Sequence, residues 1–517
     1  MKQRVLCALL ALCMLLLTGC SEWSDPQEDI FTTLADYYNI QTDDPEEDPG
    51  LEQFALPYIK GETADPITCP DGAQLTLGAL LYEGLFRLDE GFEPQPALAE
   101  SYSYDPQRYI YTITLRQGVT FSDGSSLTAR DVVNTLQRAR YSARYAGRLA
   151  EVYNIWYSGN TVSIALSGDN AGFAARLDIP IVKSGTETAT VPIGTGPYVY
   201  STEGGAHLAA RSDWWQGKSL PLERIELTAC KDSDSVAYAF YAREIQLLSC
   251  DLTGTDTSNV YGSGDYTDAA TSILQYLCIN TRRDPFDDPA LRQALTLGID
   301  RAGCVSAYLL GHGKATQFPV SPASSLYPAQ LEQPYSPDAY VRALAEAGLS
   351  DESPRSVTLL VNEENSFKLS IAQKLASGLS QGGLQVTVES LPYEQYLFAL
   401  QSGSFDLALC EVKLTADWDL RSLLQSYAAL NYGGCADVEL DQLLAAYAAA
   451  EGQEQRQTAM ETLCEKLLEL SPMVPICFKS TSVLLPAGVS LSPITPTATD
   501  PFYNLSSWRL NMAPEGE

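Results

Sequence analysis

The sequence predicts a mixed α/β protein folded as more than one lobe, and three observations carry that expectation. The chain has 517 residues, more than one hydrophobic core organises. The stretch Tyr109–Arg138 reads as strand, turn, short strand, turn and capped helix. From Ser336 to Val412, helical and strand patterns alternate, the order of a mainly parallel sheet.

At the amino terminus Lys2 and Arg4 precede an apolar run, Val5–Leu17, of signal-peptide length and too short to span a bilayer comfortably. The run closes on Leu17-Thr18-Gly19-Cys20, which reads as a bacterial lipoprotein box with Cys20 as the lipidated residue. Acyl chains on that thiol would tether the protein to the outer face of the membrane without spanning it. Ser21 to Pro49 is rich in Asp and Glu, and such a run self-repels and stays solvated. It reads as a spacer between lipid and body.

Phe54–Tyr58 reads as a first strand, followed by Gly61–Ile67 and by a helix over Leu75–Phe86. In Tyr109–Leu115 aromatic and β-branched residues alternate with period two, and Gln117-Gly118 turns the chain. Val119–Phe121 gives a short second strand and Ser122-Asp123-Gly124 a second turn. Thr128 and Asp131 stand at capping-box spacing, and Ala129, Val132, Val133 and Leu136 make one apolar helical face.

This wording, from Pro96 and Leu98–Ser101 through Leu115-Arg116, Gly118-Val119, Phe121, Asp123-Gly124, Leu127–Ala129 and Asp131-Val132, resembles the signature of the extracellular solute-binding proteins, family 5. Gly194–Tyr198 and Asp213–Lys218 resemble two further segments of that family. So does the series Asn280, Pro285-Phe286, Asp288, Arg292, Ala294-Leu295 and Ile299–Arg301, and all fall in family order. The resemblance implies a type II periplasmic-binding-protein-like fold of two lobes joined by hinge strands, with an extra subdomain in the first lobe. The expected division is a signal peptide at 1–19, lipidated Cys20 and linker at 20–50, and a first lobe from 51–78, 190–278 and 479–512. The extra subdomain would take 79–189 and the second lobe 279–478, with a hinge strand near Tyr276–Asn280.

In the second lobe Ser336-Pro337 opens a helix, strands are expected at Val357–Val361, through Val386 and Val388, and at Phe405–Val412, and helices lie between them. Leu440, Leu443, Leu444 and Tyr447 form one helical stripe; Met460, Leu463, Leu467 and Leu468 form another. These stripes are core positions.

Charge and composition limit the functions. A net charge of −32 argues against nucleic acid or anionic lipid as the main ligand. The two histidines, His207 and His312, have no ligand-spaced partners, so neither a metal site nor a cofactor is expected. Of 12 cysteines nine follow Cys20, an odd number without CxxC spacing, which predicts small core residues and at least one thiol that is free or pairs outside the chain. No GxSxG, HExxH or Cys–His arrangement supports an enzyme.

For the ligand, the resemblance points to the loop Lys413–Asp419, where peptide-binding members carry an aspartate that holds the terminal ammonium. Asp417, in an Ala-Asp-aromatic step, matches best; the usual acidic-Pro pair is missing, so Asp419 is the alternative. A carboxylate suits the role because a buried ammonium must be paired and hydrogen-bonded. Trp418, Tyr432 and Tyr276 are expected as stacking rings, and Asn431 with Gly433-Gly434 as a place of close backbone approach. The expected function is a lipid-anchored substrate-binding protein, monomeric, that passes oligopeptides or dipeptides to an ABC permease and its ATPase. A nickel–chelate or sugar receptor and a peptide-sensing lipoprotein are the alternatives, and a surface hydrolase is the remotest.

Overall fold

The computed structural model describes residues 53–254 and 264–512. The signal-peptide, Cys20 and linker expectations lie outside the described residues, and among those described no helix is long and apolar enough to cross a membrane.

The chain forms the two-lobed α/β architecture of type II binding proteins. The first lobe begins with the strand Ala55–Ile59, which pairs in parallel with Arg224–Cys230; His207–Ala210 and Tyr198–Ser201 complete a four-stranded sheet. The next helix is Ala73–Leu81, not the longer Leu75–Phe86 predicted. Tyr82 is already extended, and Phe86 begins a short strand, Phe86–Leu88, paired with Pro94–Pro96. The stop has a packing cause. Gly194 and Gly196 lie so close to the Leu81 carbonyl that added Cβ atoms would come within 2.1 and 2.7 Å of its oxygen, and the Gly196 N–H donates to it. The turn Gly194–Tyr198, read as one of the family-like segments, therefore ends the helix.

An antiparallel sheet forms the extra subdomain, in the order Ala99–Asp105, Ile110–Leu115, Thr161–Leu166, Val152–Ser158. Its inward residues Tyr111, Ile113, Leu115, Val162 and Ile164 pack on Val132, Val133 and Leu136 of the helix Ala129–Ala139. The predicted capping box is present, with the Asp131 carboxylate accepting from the Thr128 backbone N–H. The short strand predicted at Val119–Phe121 reduces to one bridge, Thr120 with Ser126, because the turn at Gly124 (φ +81°) reverses the chain at once.

A seven-stranded sheet joins the lobes. Its central members are two long strands, Gly264–Ile279 and Met473–Pro486, each contributing to both lobes. Beyond them Leu407–Lys413, Arg355–Asn362 and Leu384–Leu391 run side by side, the last three mutually parallel and the joins to the long strands antiparallel. The mainly parallel expectation thus holds for the helix-connected strands and fails at the hinge, where strands return directly. The helices Val438–Ala449 and Gly452–Leu470 bury Leu440, Leu444, Tyr447, Met460 and Leu463 as the periodicity predicts. All nine described cysteines are free and eight are buried.

Candidate functional site

The site grows from an irregularity in the two long strands. Their register shifts between Ala270–Ser480 and Leu274–Phe478, so that three residues, Thr271 to Ile273, face the single residue Lys479. Such a bulge bends a strand and re-aims the side chains beyond it. Thr271 Oγ1 donates to the Lys479 carbonyl at 2.6 Å, and Ser272 Oγ donates to the Leu414 carbonyl at 2.7 Å. The Leu414 N–H returns a bond to the Ser272 carbonyl. The loop expected to carry the ligand is therefore anchored on the hinge.

Within that loop Trp418 adopts φ +55°, a region that bulky residues rarely enter. The surroundings fix it there. Its ring is buried edge-on between Phe92, 4.9 Å away, and Phe478, 5.6 Å away, and the Trp418 backbone N–H donates to the Thr415 carbonyl. With Trp418 locked inward, Asp417 and Asp419 are turned toward the first lobe.

They meet Arg176. This residue ends the turn Phe173–Arg176 of the first lobe and is buried. Arg176 Nε donates to Asp417 Oδ2 at 2.6 Å and Nη2 to Asp419 Oδ2 at 2.8 Å, so one guanidinium spans both carboxylates. Asn170 Nδ2 also donates to Asp417 Oδ2, at 2.9 Å. Arg421 clamps Asp419 through Nε and Nη2 at 2.9 and 2.7 Å and reaches Glu151 at 2.9 Å. The Asp417 carbonyl accepts from Tyr447 Oη and Arg456 Nη2. Gly172 permits the approach, since a Cβ there would stand 3.1 Å from Asp417 Cβ.

Burial alone would raise the Asp419 carboxyl, but hydrogen bonds from Arg421 and the charges of Arg176 and Arg421 outweigh it and hold the group well below the usual carboxylate range. Asp417 keeps 1 % of its surface, and its Oδ1, also buried, accepts no hydrogen bond among the described residues.

The remaining expected residues fall elsewhere. Tyr276 is buried beside Cys410 and Cys278, and burial pushes its phenol well up. Tyr432 packs, half-buried, on the same core. Tyr276 and Trp418 are buried in the core beneath the hinge, whereas Tyr432 keeps part of its ring exposed. Asn431 ties its own turn, donating to the Gln425 and Cys435 carbonyls and accepting from the Gly434 N–H. The close backbone approach expected at Gly433-Gly434 is made to Ile279 O and the Arg282 side chain. Arg176, Arg421, Asn170, Glu151 and Arg456 were missed by sequence reasoning. A signal existed for Arg176: with Asp178 it is one of two charged residues in the otherwise apolar run 171–182. A cavity of about 100 Å³ is lined by Glu83, Asp178, Trp214, Gln216 and Phe502 among others.

Two lobes on a shared hinge, with a charged cluster from both meeting beside it, define a protein that captures a solute between lobes. The pattern of the bacterial extracellular solute-binding proteins, family 5 (middle), matches residues 93–429, more than half of the chain, and the chain belongs to that family. It is a substrate-binding protein of the ABC-importer type, not an enzyme, and proteins of this family work outside the cell. Among its relatives is the oligopeptide-binding protein AppA of Bacillus subtilis, 24 % identical over 85 % of this chain and 88 % of that protein. The glutathione-binding protein GsiB of Escherichia coli is 27 % identical over 64 % of this chain and 67 % of its own length. Of solved structures, the unliganded open form of the periplasmic murein tripeptide binding protein MppA superposes with a TM-score of 0.74 at 19 % identity, covering 89 % of this chain and 98 % of that one. A nickel ABC transporter protein from Bacillus halodurans gives 0.73 at 21 % identity, covering 87 % and 97 %.

Proposed function

We propose that the protein captures peptides between its lobes and delivers them to an ABC permease. The observation that carries this reading is Asp417 Oδ1, a buried carboxylate oxygen with no donor beside an oxygen fully engaged by Arg176 and Asn170. An unmet buried acceptor costs about 1–3 kcal/mol, more when charged, and a peptide's terminal ammonium supplies the missing donor. Asp419, by contrast, is saturated by two arginines and holds the loop rather than the ligand. Relatives named for oligopeptides and glutathione fit such a ligand. In this reading residues 279–478 form the lobe that brings Asp417, and residues 79–189 contribute Arg176.

The test is peptide-dependent thermal stabilisation, read within each variant. Asp417→Ala loses the shift that a free-amino peptide gives and Asp419→Ala keeps it, while N-acetylation of the peptide abolishes the shift in the parent protein. No shift with any peptide in the parent would end the peptide reading; the opposite pattern between variants would move the ammonium to Asp419. The sequence Leu17–Cys20 further supports a lipid anchor at Cys20. Cys20→Ala would then release the protein from the membrane fraction into the soluble one.

A further inference from the structure

The cluster around Asp417 is neutral on the chain's own charges. Three carboxylates, Asp417, Asp419 and Glu151, are gathered with three guanidiniums, Arg176, Arg421 and Arg456. The shares are unequal. Asp419 takes two side-chain bonds from Arg421 and a third from the Arg421 backbone N–H at 3.0 Å, and Arg421 also reaches Glu151. Arg456 Nη2 donates to the Asp417 carbonyl and to Tyr447 Oη, each at 3.0 Å. Among the described residues Arg176 alone is in ion-pair contact with the Asp417 carboxylate, at 2.6 Å, and its Nη1 lies 3.8 Å from Glu151.

Arg176 is also held in place. The turn that carries it buries Phe173, Ala174 and Leu177, and its guanidinium lies 5.7 Å from the centre of the Phe173 ring. Its Nη1 donates to the Arg148 carbonyl at 3.4 Å. Just before the turn, the Ala171 N–H donates to the Ala448 carbonyl at 2.8 Å, which ties this segment to the helix Val438–Ala449. A solute ammonium at Asp417 Oδ1 therefore shares one carboxylate with a fixed guanidinium on Oδ2. The cluster then carries an excess positive charge. Two like charges on one partly desolvated carboxylate repel strongly enough to shift an equilibrium by about tenfold or more.

We infer that Arg176 sets how strongly the cleft selects a cationic solute, acting as the chain's own competitor for Asp417. This rests on the reading that Asp417 meets the solute's ammonium. An unshared Asp417 would grip an ammonium tightly and release it slowly. Shared with Arg176 it grips loosely, and the carboxylate stays paired when the solute departs. Differences in affinity among related complexes lie mostly in the rate of release, so the competitor acts on unloading.

The test measures, by calorimetry on the full chain, how much more tightly trialanine and pentaalanine bind than their N-acetylated forms. Arg176→Gln keeps hydrogen-bond donors near the two aspartates and removes the charge. The expected result is that the ratio of free-amino to acetylated affinity widens by about tenfold or more in Arg176→Gln and returns to the parent value in Arg176→Lys. A purely structural role would weaken both peptide forms alike and leave the ratio where it was. Because Arg176→Gln costs stability, the comparison is repeated in sucrose, which favours the folded state and carries no charge. A ratio unchanged or narrowed in folded Arg176→Gln overturns the inference and leaves the peptide reading standing. Binding of the free amine in Arg176→Gln but not in the parent upholds the competitor. No preference for the free amine in either protein ends the reading of an ammonium at Asp417, and the inference with it.

Discussion

The segment Tyr109–Arg138 and the loop Lys413–Asp419 obey opposite rules. In the first, recognisable residues satisfy one another locally: Thr128 with Asp131, Tyr111 and Ile113 with Val132 and Leu136. In the second, Arg421 clamps Asp419 from two residues away, but the other key partners come from far along the chain. Asp417 is met by Arg176 and Asn170, more than 240 residues away, and Leu414 by Ser272, 142 away. A locally closed unit identifies an architecture, whereas a unit completed from a distance is where a ligand's groups can be exchanged for the chain's own.

That contrast can be broken by experiment. Arg176→Met should have the largest effect, leaving two buried carboxylates short of a cation and lowering unfolding free energy by about 3–5 kcal/mol in denaturant titration. A change below about 1 kcal/mol would mean that the loop is not held by this pair. Leu136→Ala, in the helix of the extra subdomain, should cost about 3 kcal/mol through its cavity while leaving solute affinity of the folded protein unchanged by calorimetry. Altered affinity there would dissolve the distinction between the two regions.

Asp419→Asn should cost about 2–3 kcal/mol at pH 7, and the cost should disappear in acid. The folded protein holds this carboxyl below its unfolded value near 4, so its contribution is present above that pH and is lost as pH falls through the lower folded value. Parent and variant stability curves should therefore draw together as pH falls below the usual carboxylate range; parallel curves would show that the arginines do not stabilise the anion. Thr128→Ala should have the smallest effect, about 1 kcal/mol in thermal unfolding, the loss of a helix cap.

Much of the fold was legible because its signals are local: period-two strands, capping residues, and Ser336 with Pro337 opening a helix as expected. The end of the helix at Leu81 was not, since the glycines that stop it come 113 and 115 residues later in sequence, beyond any window of periodicity. The antiparallel joins at the hinge escaped for a similar reason, because strand patterns carry no record of partner or direction. In the site, Asp417 and Asp419 could be picked by type and setting. Their occupation by Arg176 could not, and neither could the inward turn of Trp418, which depends on the slot between Phe92 and Phe478. Trp418 and Tyr276, expected as stacking rings, are buried as core filling around the hinge.

The bulge at Thr271–Ile273 has a consequence for transport. Because Ser272 holds Leu414 by two hydrogen bonds, a change of angle at the hinge would, in the proposed function, also move the loop that carries Asp417. Under that coupling, prising the lobes apart weakens solute binding by the same factor by which bound solute resists the prising. A permease that docks on both lobes and spreads them therefore requires no contact with the solute to release it. In the proposed peptide carrier, unloading would then be a mechanical act on the rim, passed through Ser272.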